Sequence, residues 1–400
     1  MRAIHIKTPY KNPKGRIFSW LTLMYSLGIG LALPIIPNFI KLYVHTDQNV
    51  SLFFVALAIV ALFSALTSSF VFRRFSRTKI LNLSLLMGGL TFVALPFVSN
   101  IWELTVIEFV HVWFRIVVWI SLSLFVYDYT KKQHLGEAEG TYYTFNNIGF
   151  LIGLFAGGYI ASRYGFEYTF YLAGAVLMFT LLYVLHRHFV SKHTEIKYQS
   201  TKLYNLKSHR NLWANTIEYF KDNDRRKAYL ASLGLSMWCC FKYTYIPLYV
   251  VYKGFQADLS GLILALSILP LIAMERMMGR YADKHGLRGP VAFGLLLYSF
   301  SLFLVYSIDS VMAVLVLMII ASVGTGIIEP LKDMYILKHV ENSEEEAFYG
   351  VFRTSDSIGA LLTPLIGAIA FMYGSYGILF ISFSVMYLLM ATAFVRRSAG

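Results

Sequence analysis

Four ionisable side chains stand inside stretches of sequence otherwise too apolar for water: Glu108, His111 and Arg115 in one, Lys242 in another. A charge near the centre of a lipid-spanning helix costs at least about 2.5–3.5 kcal/mol unless it is paired or wet, so such residues mark function more often than decoration. Steps of three and four put Glu108, His111 and Arg115 on one helical face. At about 1.5 Å per residue they lie roughly 10, 15 and 21 Å below the outer boundary and bracket the bilayer centre. Lys242 reaches a comparable depth. A carboxyl, an imidazole that ionises close to neutrality and a guanidinium can take up a proton, relay it, or hold an anion. The same groups could instead form a permanent ion-pair network that only ties helices together.

A second set, Glu275, Arg276, Glu329, Lys332, Asp333, Arg353 and Asp356, gathers near the ends of later apolar stretches and suits an inner gate or relay. Arg276 and Asp333 read as solvated ends. Pro330 beside Glu329 removes a backbone donor and should loosen its helix. Aromatic residues make up 16% of the chain. Among them Tyr142, Tyr143, Trp113, Trp119, Tyr243 and Tyr245, with Asn146 and Asn147, could line a cavity for an amphipathic ligand. Each taken alone fits packing or a lipid interface better than a ligand contact.

The elements that must position these groups are membrane helices. The chain is 57% hydrophobic and 14% charged, with a mean hydropathy of +0.58, whereas soluble domains carry about 25% charged residues. Twelve stretches can each span a bilayer, at roughly 17–40, 50–72, 79–98, 101–126, 141–162, 168–187, 229–252, 257–279, 289–308, 310–335, 348–372 and 375–395. The chain also repeats itself at an offset of 210: Gly140, Thr144, Ile148, Gly149 and Gly157 recur as Gly350, Thr354, Ile358, Gly359 and Gly367, and Pro37 as Pro247. The fold expected is an all-α membrane protein of twelve transmembrane helices in two pseudo-symmetric six-helix bundles, residues 1–187 and 229–400, joined by a cytoplasmic loop, 188–228. Duplicated spanning bundles imply a transporter whose halves rock around a central site. Within the loop, Leu212, Trp213, Ile217, Tyr219 and Phe220 fit either an amphipathic surface helix or a partly ordered linker.

The net charge of +13 could suggest nucleic acid, but its distribution points to membrane orientation instead. Arg2, Lys7, Lys11, Lys14 and Arg16 precede the first span, Arg73, Arg74, Arg77 and Lys79 follow the second, and Lys131 and Lys132 follow the fourth. The opposite loops hold little beyond Lys41, Arg163 and Lys253, so both termini are expected in the cytoplasm. The first apolar stretch ends in Pro34 and Pro37 rather than a small-residue cleavage site, and reads as a retained helix. Cys239 and Cys240, adjacent on one helix, suit neither a disulfide framework nor a metal site. No metal, cofactor or catalytic pattern is expected, and the chain reads as a non-enzyme.

Three motifs carry a resemblance. Gly279-Arg280-Tyr281-Ala282-Asp283-Lys284-His285-Gly286-Leu287-Arg288 resembles the cytoplasmic loop motif of the major facilitator superfamily. Gly279 would let helices approach, Asp283 would face a helix N-terminus, Gly286 would permit a tight turn, and Lys284 and Arg288 would supply pairing charges. At the same offset the first half departs from the pattern, with Arg73 in place of the acid and Ser69 and Ser76 in place of the glycines. Arg73, Arg74 and Arg77 could there meet Glu344, Glu345 and Glu346 in a latch of reversed polarity. Gly30-Leu31-Ala32-Leu33-Pro34-Ile35-Ile36-Pro37 and the run Gly149 to Gly158 are similar to patterns of the twelve-helix drug:proton antiporter branch. Gly149, Gly153 and Gly157 share one face, where a partner helix can pack on bare backbone. Their meaning is either ordinary close packing or something specific to antiport.

The resemblance implies proton-coupled export of a small amphipathic molecule by alternating access, working as a monomer in the cell membrane with protons and lipid as its other partners and no nucleic acid. Glu108 and Asp356 would carry protons, with His111 as a third candidate, and Arg115 and Lys242 would hold an anionic group or act as counter-ions. Uptake of an organic anion or nutrient with protons is the alternative. From another class, a transport-inactive receptor or scaffold could use the same fold.

Overall fold

The computed structural model describes residues 13–129, 135–186, 212–285, 287–308, 310–337 and 345–395. Gly286 and Glu344 lie outside these residues, as do the side chains at Ser69, Arg73, Glu275, Arg276, Gly279, Asp283, Lys284, Asp333, Glu345 and Glu346. The expected Asp283 contact and the reversed latch therefore fall outside the described residues.

The described chain is helical almost throughout. The helices are α1 (Pro13–Ala32), α2 (Ile36–Val44), α3 (Asp47–Arg74), α4 (Arg77–Ala94), α5 (Ile101–Tyr129), α6 (Leu135–Tyr164), α7 (Phe166–His186) and α8 (Leu212–Lys221). They continue as α9 (Asn223–Tyr252), α10 (Ala257–Leu266), α11 (Leu269–His285), α12 (Arg288–Ser307), α13 (Val311–Leu337), α14 (Glu345–Met372) and α15 (Tyr376–Val395). Taking α1 with α2 and α10 with α11 as single crossings, and leaving α8 aside, these make twelve transmembrane helices. Eleven are apolar enough to span by composition alone. The twelfth, α9, is diluted by Asp224, Arg225, Arg226 and Lys227 at one end and by Lys242 within.

Proline explains where the crossings bend. The first breaks at Pro34, and Pro37 then occupies the first turn of α2, where its missing N–H costs nothing. The eighth breaks just ahead of Pro270. Pro364 stays inside α14 and deprives the Ala360 carbonyl of its helical donor. The Cys240 thiol donates to that carbonyl instead, at 3.8 Å. The loop motif differs from expectation: residues up to His285 continue α11, since Arg280, Ala282 and Lys284 are good helix formers and nothing before Gly286 stops them. Ser76, which stands where the motif has glycine, caps α4 by accepting from the Lys79 N–H at 3.4 Å.

The chain divides into two compact units. The first holds the described residues of 13–33 and 64–186, the second those of 34–63 and 212–395. The division follows the two sequence halves except at 34–63, which cluster with the second. There Asn38 Nδ2 donates to the Pro247 carbonyl at 3.1 Å and the Tyr245 hydroxyl to Ser51 Oγ at 3.1 Å.

Inside each unit the 210-residue repeat returns as geometry. In the first, α6 packs against α1: a Cβ added at Gly149, Gly153 or Gly157 would strike the carbonyl of Leu23, Leu27 or Leu31. In the second, α14 packs against α9, and a Cβ at Gly359 would meet Ser236 at 2.7 Å, as one at Gly149 would meet Ser26 at 3.0 Å. Ser236 is Ser26 displaced by the same offset. The pair α4–α7 closes where Gly174 approaches the Gly89 carbonyl, and α12–α15 closes at the corresponding residues, with Ser299 Oγ donating to the Ser384 carbonyl at 2.8 Å.

Residues 212–221 form a helix that packs on α9 and α14, so part of the segment expected as loop belongs to the second unit, and the expected boundary at 229 falls inside α9. Tyr219 is fully buried among Phe220, Tyr229 and Phe348, and its hydroxyl donates to the Arg225 carbonyl at 3.0 Å. Ile217 and Phe220 remain exposed, as an interfacial helix requires. Tyr219→Ala empties that pocket at a cost of about 3 kcal/mol. It should markedly speed trypsin cleavage at Lys221 and Arg225 in the purified protein, and an unchanged cleavage rate would show that α8 is not held this way.

Candidate functional site

In the first unit α5 presents the predicted cluster. Glu108 is 2% exposed and its Oε1 has no hydrogen-bond partner among the described residues. His111 is 3% exposed, with Nδ1 3.0 Å from Thr91 Oγ1 on α4 and its ring against Phe92. The same Thr91 hydroxyl lies 2.9 Å from the Gly88 carbonyl, so when it donates there the bond to His111 takes its proton from Nδ1, and when it donates to His111 Nδ1 is the acceptor. Arg115 is half-buried, and no carboxylate lies within 4.0 Å of its guanidinium among the described residues. The Tyr25 hydroxyl on α1 donates to its backbone carbonyl at 3.3 Å. The three residues do share a face, yet Glu108 and Arg115 are neighbours through space rather than an ion pair.

The expected cavity-lining set is divided by the structure. Asn146 is buried at the α1–α6 contact and accepts from Ser26 Oγ at 2.5 Å, so it closes helices together. Asn147 is buried and Tyr143 half-buried beside Tyr142.

In the second unit three members of the proposed inner set come together. Asp356 on α14 faces Lys332 of α13 at 3.8 Å and Arg353 at 3.4 Å, and accepts from Ser232 Oγ of α9 at 3.3 Å. Its side chain is 40% exposed. Glu329 lies near enough to Lys242 to act on it electrostatically, without reaching ion-pair distance. Lys242 itself is 3% exposed, its ammonium 4.7 Å from the Tyr243 ring centre. Of the loop motif, Arg288 is described: it pairs with Asp224 at 2.6 Å and ties the start of α12 to the start of α9. Arg74 is exposed, and Arg77 has a partner.

Sequence reasoning missed Ser26, Thr91, Ser232 and Ser236. The serines were within reach, since the repeat that pairs Gly149 with Gly359 also pairs Asn146 with Asp356 and Ser26 with Ser236. The same structural place thus holds a neutral amide in one half and an acid in the other.

Two copies of one six-helix design, with ionisable groups buried at depths where lipid would otherwise forbid them, define a membrane transporter. The sequence profile of the Major Facilitator Superfamily matches residues 18–277 and 246–399, and the chain belongs to that family. An MFS-type transporter of Methanocaldococcus jannaschii is 22% identical over 88% of this chain and 89% of its own length. Multidrug resistance protein 2 of Bacillus subtilis is 25% identical over 86% and 85%. The crystal structure of the nucleoside transporter NupG superposes with a TM-score of 0.73 at 13% identity, covering 96% of this chain and 98% of that one. The protein is therefore a multi-pass transporter of the cell membrane that moves small molecules.

Proposed function

We propose that this transporter exports a small amphipathic molecule in exchange for protons, by alternating access, as a monomer with both termini in the cytoplasm. The observation that carries the reading is Glu108, a buried carboxyl with one oxygen lacking a donor among the described residues, and Arg115 nearby with no carboxylate within 4.0 Å among them. An ionised carboxylate costs several kcal/mol in such surroundings and far less beside a guanidinium. A change of state that moves Arg115 toward or away from Glu108 would release or load a proton. Asp356 is the parallel candidate in the second unit, already beside two cations and open to solvent at its inner end. His111 stands third, its Nδ1 held against Thr91. The name of the Bacillus subtilis relative supports export of drug-like compounds.

The test is proton movement in proteoliposomes carrying an internal pH indicator. Across a panel of amphipathic cargos, at least one should drive protons against its own direction of travel. Protons moving with the cargo would instead establish uptake, and no cargo-linked proton movement across the panel would leave a transport-inactive receptor as the better reading.

A further inference from the structure

We propose that the second unit holds an anion-binding site at Lys242, and that the exported molecule carries a carboxylate, sulfonate or phosphate on an apolar body. The proposal rests on the export reading and names the class of its cargo.

The first observation is the burial pattern of α9. From Lys227 to Val250 the helix is buried except at Leu230, Leu233, Ser236, Cys239, Cys240 and Tyr243, all on one side of the helix. This side changes chemistry along its length. The leucines occupy its shallow end, and the four deeper positions, within about 100° of one another around the axis, include no aliphatic residue. A helix turned to lipid exposes aliphatic residues at its centre, whereas polar positions inside a bilayer face protein or water. Protein accounts for part of this stretch, since Ser236 and Cys240 donate to the Asp356 and Ala360 carbonyls of α14. Cys239 and Tyr243 remain only partly accessible, and on this proposal that narrow strip is the part of α9 that water and a ligand reach. The opening stops at Tyr243, since Thr244 to Val250 are all buried.

The second observation is what stands at the closed end. Lys242 follows Cys239 by one turn and borders the open side, is 3% exposed, and has no hydrogen-bond partner or carboxylate within 4.0 Å among the described residues. Its one contact of note is the Tyr243 ring. Glu329 is close enough to attract the ammonium but does not reach it. A buried ammonium without an anion in contact is costly, and the partly accessible side next to it would give such an anion a way in. Tyr243 then offers its ring to the apolar body. In the first unit Arg115 independently repeats the circumstance, a half-buried guanidinium without a carboxylate within 4.0 Å among the described residues.

The experiment is calorimetric binding without a pH gradient, with the full chain in phosphatidylcholine nanodiscs. Two probes of one shape and opposite charge are compared, 2-naphthalenesulfonate and a naphthyl trimethylammonium. The sulfonate should bind and the cation should not. Lys242→Gln should weaken the sulfonate at least tenfold, as expected for losing a charge-assisted contact, and Lys242→Arg should restore most of it. Tighter binding of the cation, or sulfonate affinity indifferent to Lys242→Gln, would overturn the proposal. If the Gln variant does not fold, the wild-type preference between the two probes decides alone. Sulfonate binding displaced by phosphatidylglycerol in the disc but by no soluble anion would make the occupant a lipid and overturn the cargo assignment. Because no proton gradient enters, anion binding can hold while the proton-exchange test fails, and proton-driven flux of the cation alone would reject this inference while leaving exchange intact.

Discussion

Glu108→Gln abolishes proton-driven accumulation while leaving ligand binding and downhill exchange near wild type: that is the expected result if this carboxyl carries the coupled proton. The substitution keeps size and polarity but has no proton to release. Coupling requires a proton affinity that differs between states, raised when a carboxyl is isolated in an apolar setting and lowered when a cation approaches. The structure supplies both ingredients, an oxygen without a donor among the described residues and a guanidinium in the same unit that is not paired with it. Arg115→Ala should damage binding and coupling together, because among the described residues it removes the one cation found to act on Glu108. Asp356→Asn is the parallel test in the second unit. Flux in liposomes with and without a pH gradient separates these outcomes, and full proton-coupled flux in the Glu108→Gln, Asp356→Asn double variant would reject both assignments and move attention to His111 or Glu329.

Architecture was legible in the sequence because the bilayer constrains it. Every spanning backbone must bond internally, so apolar stretches between turn and charge signals located the crossings, even α9, whose charges dilute it below the others. Repeats at a fixed offset located the duplication, and it reappears in the contact of Gly149 with Ser26 and of Gly359 with Ser236. Finer detail followed competing local rules. Pro34 split a crossing that hydropathy read as continuous, and the loop motif ran on as helix because its residues propagate helix well. The attachment of residues 34–63 to the second unit comes from packing of α2 on α9 and from single hydrogen bonds such as Asn38 to Pro247, which leave no periodic trace. At the site, sequence could find the costly residues but not their partners. Nothing in the spacing shows that His111 meets Thr91, that Asn146 accepts from Ser26 across the α1–α6 contact, or that Cys240 answers a carbonyl freed by Pro364.

The glycines of α6 lead to the second large effect. Gly153→Val should prevent stable folding of the first unit. The added Cβ would sit 2.5 Å from the Leu27 carbonyl and 3.0 Å from Gly30 Cα, and both are backbone, so no rotamer change can relieve it. Overpacking where side chains can move costs about 1–3 kcal/mol. Here α1 and α6 must separate along their length, which loosens Gly149 and Gly157 on the same face as well. Gly140→Ala is the control: nothing lies within 4 Å of its Cβ, and an alanine in a helix stabilises by about 0.5–1 kcal/mol relative to glycine. Melting temperature and monodisperse yield of the purified variants should place Gly140→Ala at or above wild type and Gly153→Val far below. The same contrast decides what the glycine run means. Gly359 and Gly367 also make close contacts in the second unit, where the antiporter-like run is absent, but against the Ser236 and Tyr245 side chains instead of a backbone carbonyl, so close packing is a sufficient reason for glycine at these places in both units. A Gly153→Val protein that folds with normal stability but loses exchange would show instead that the run serves antiport itself.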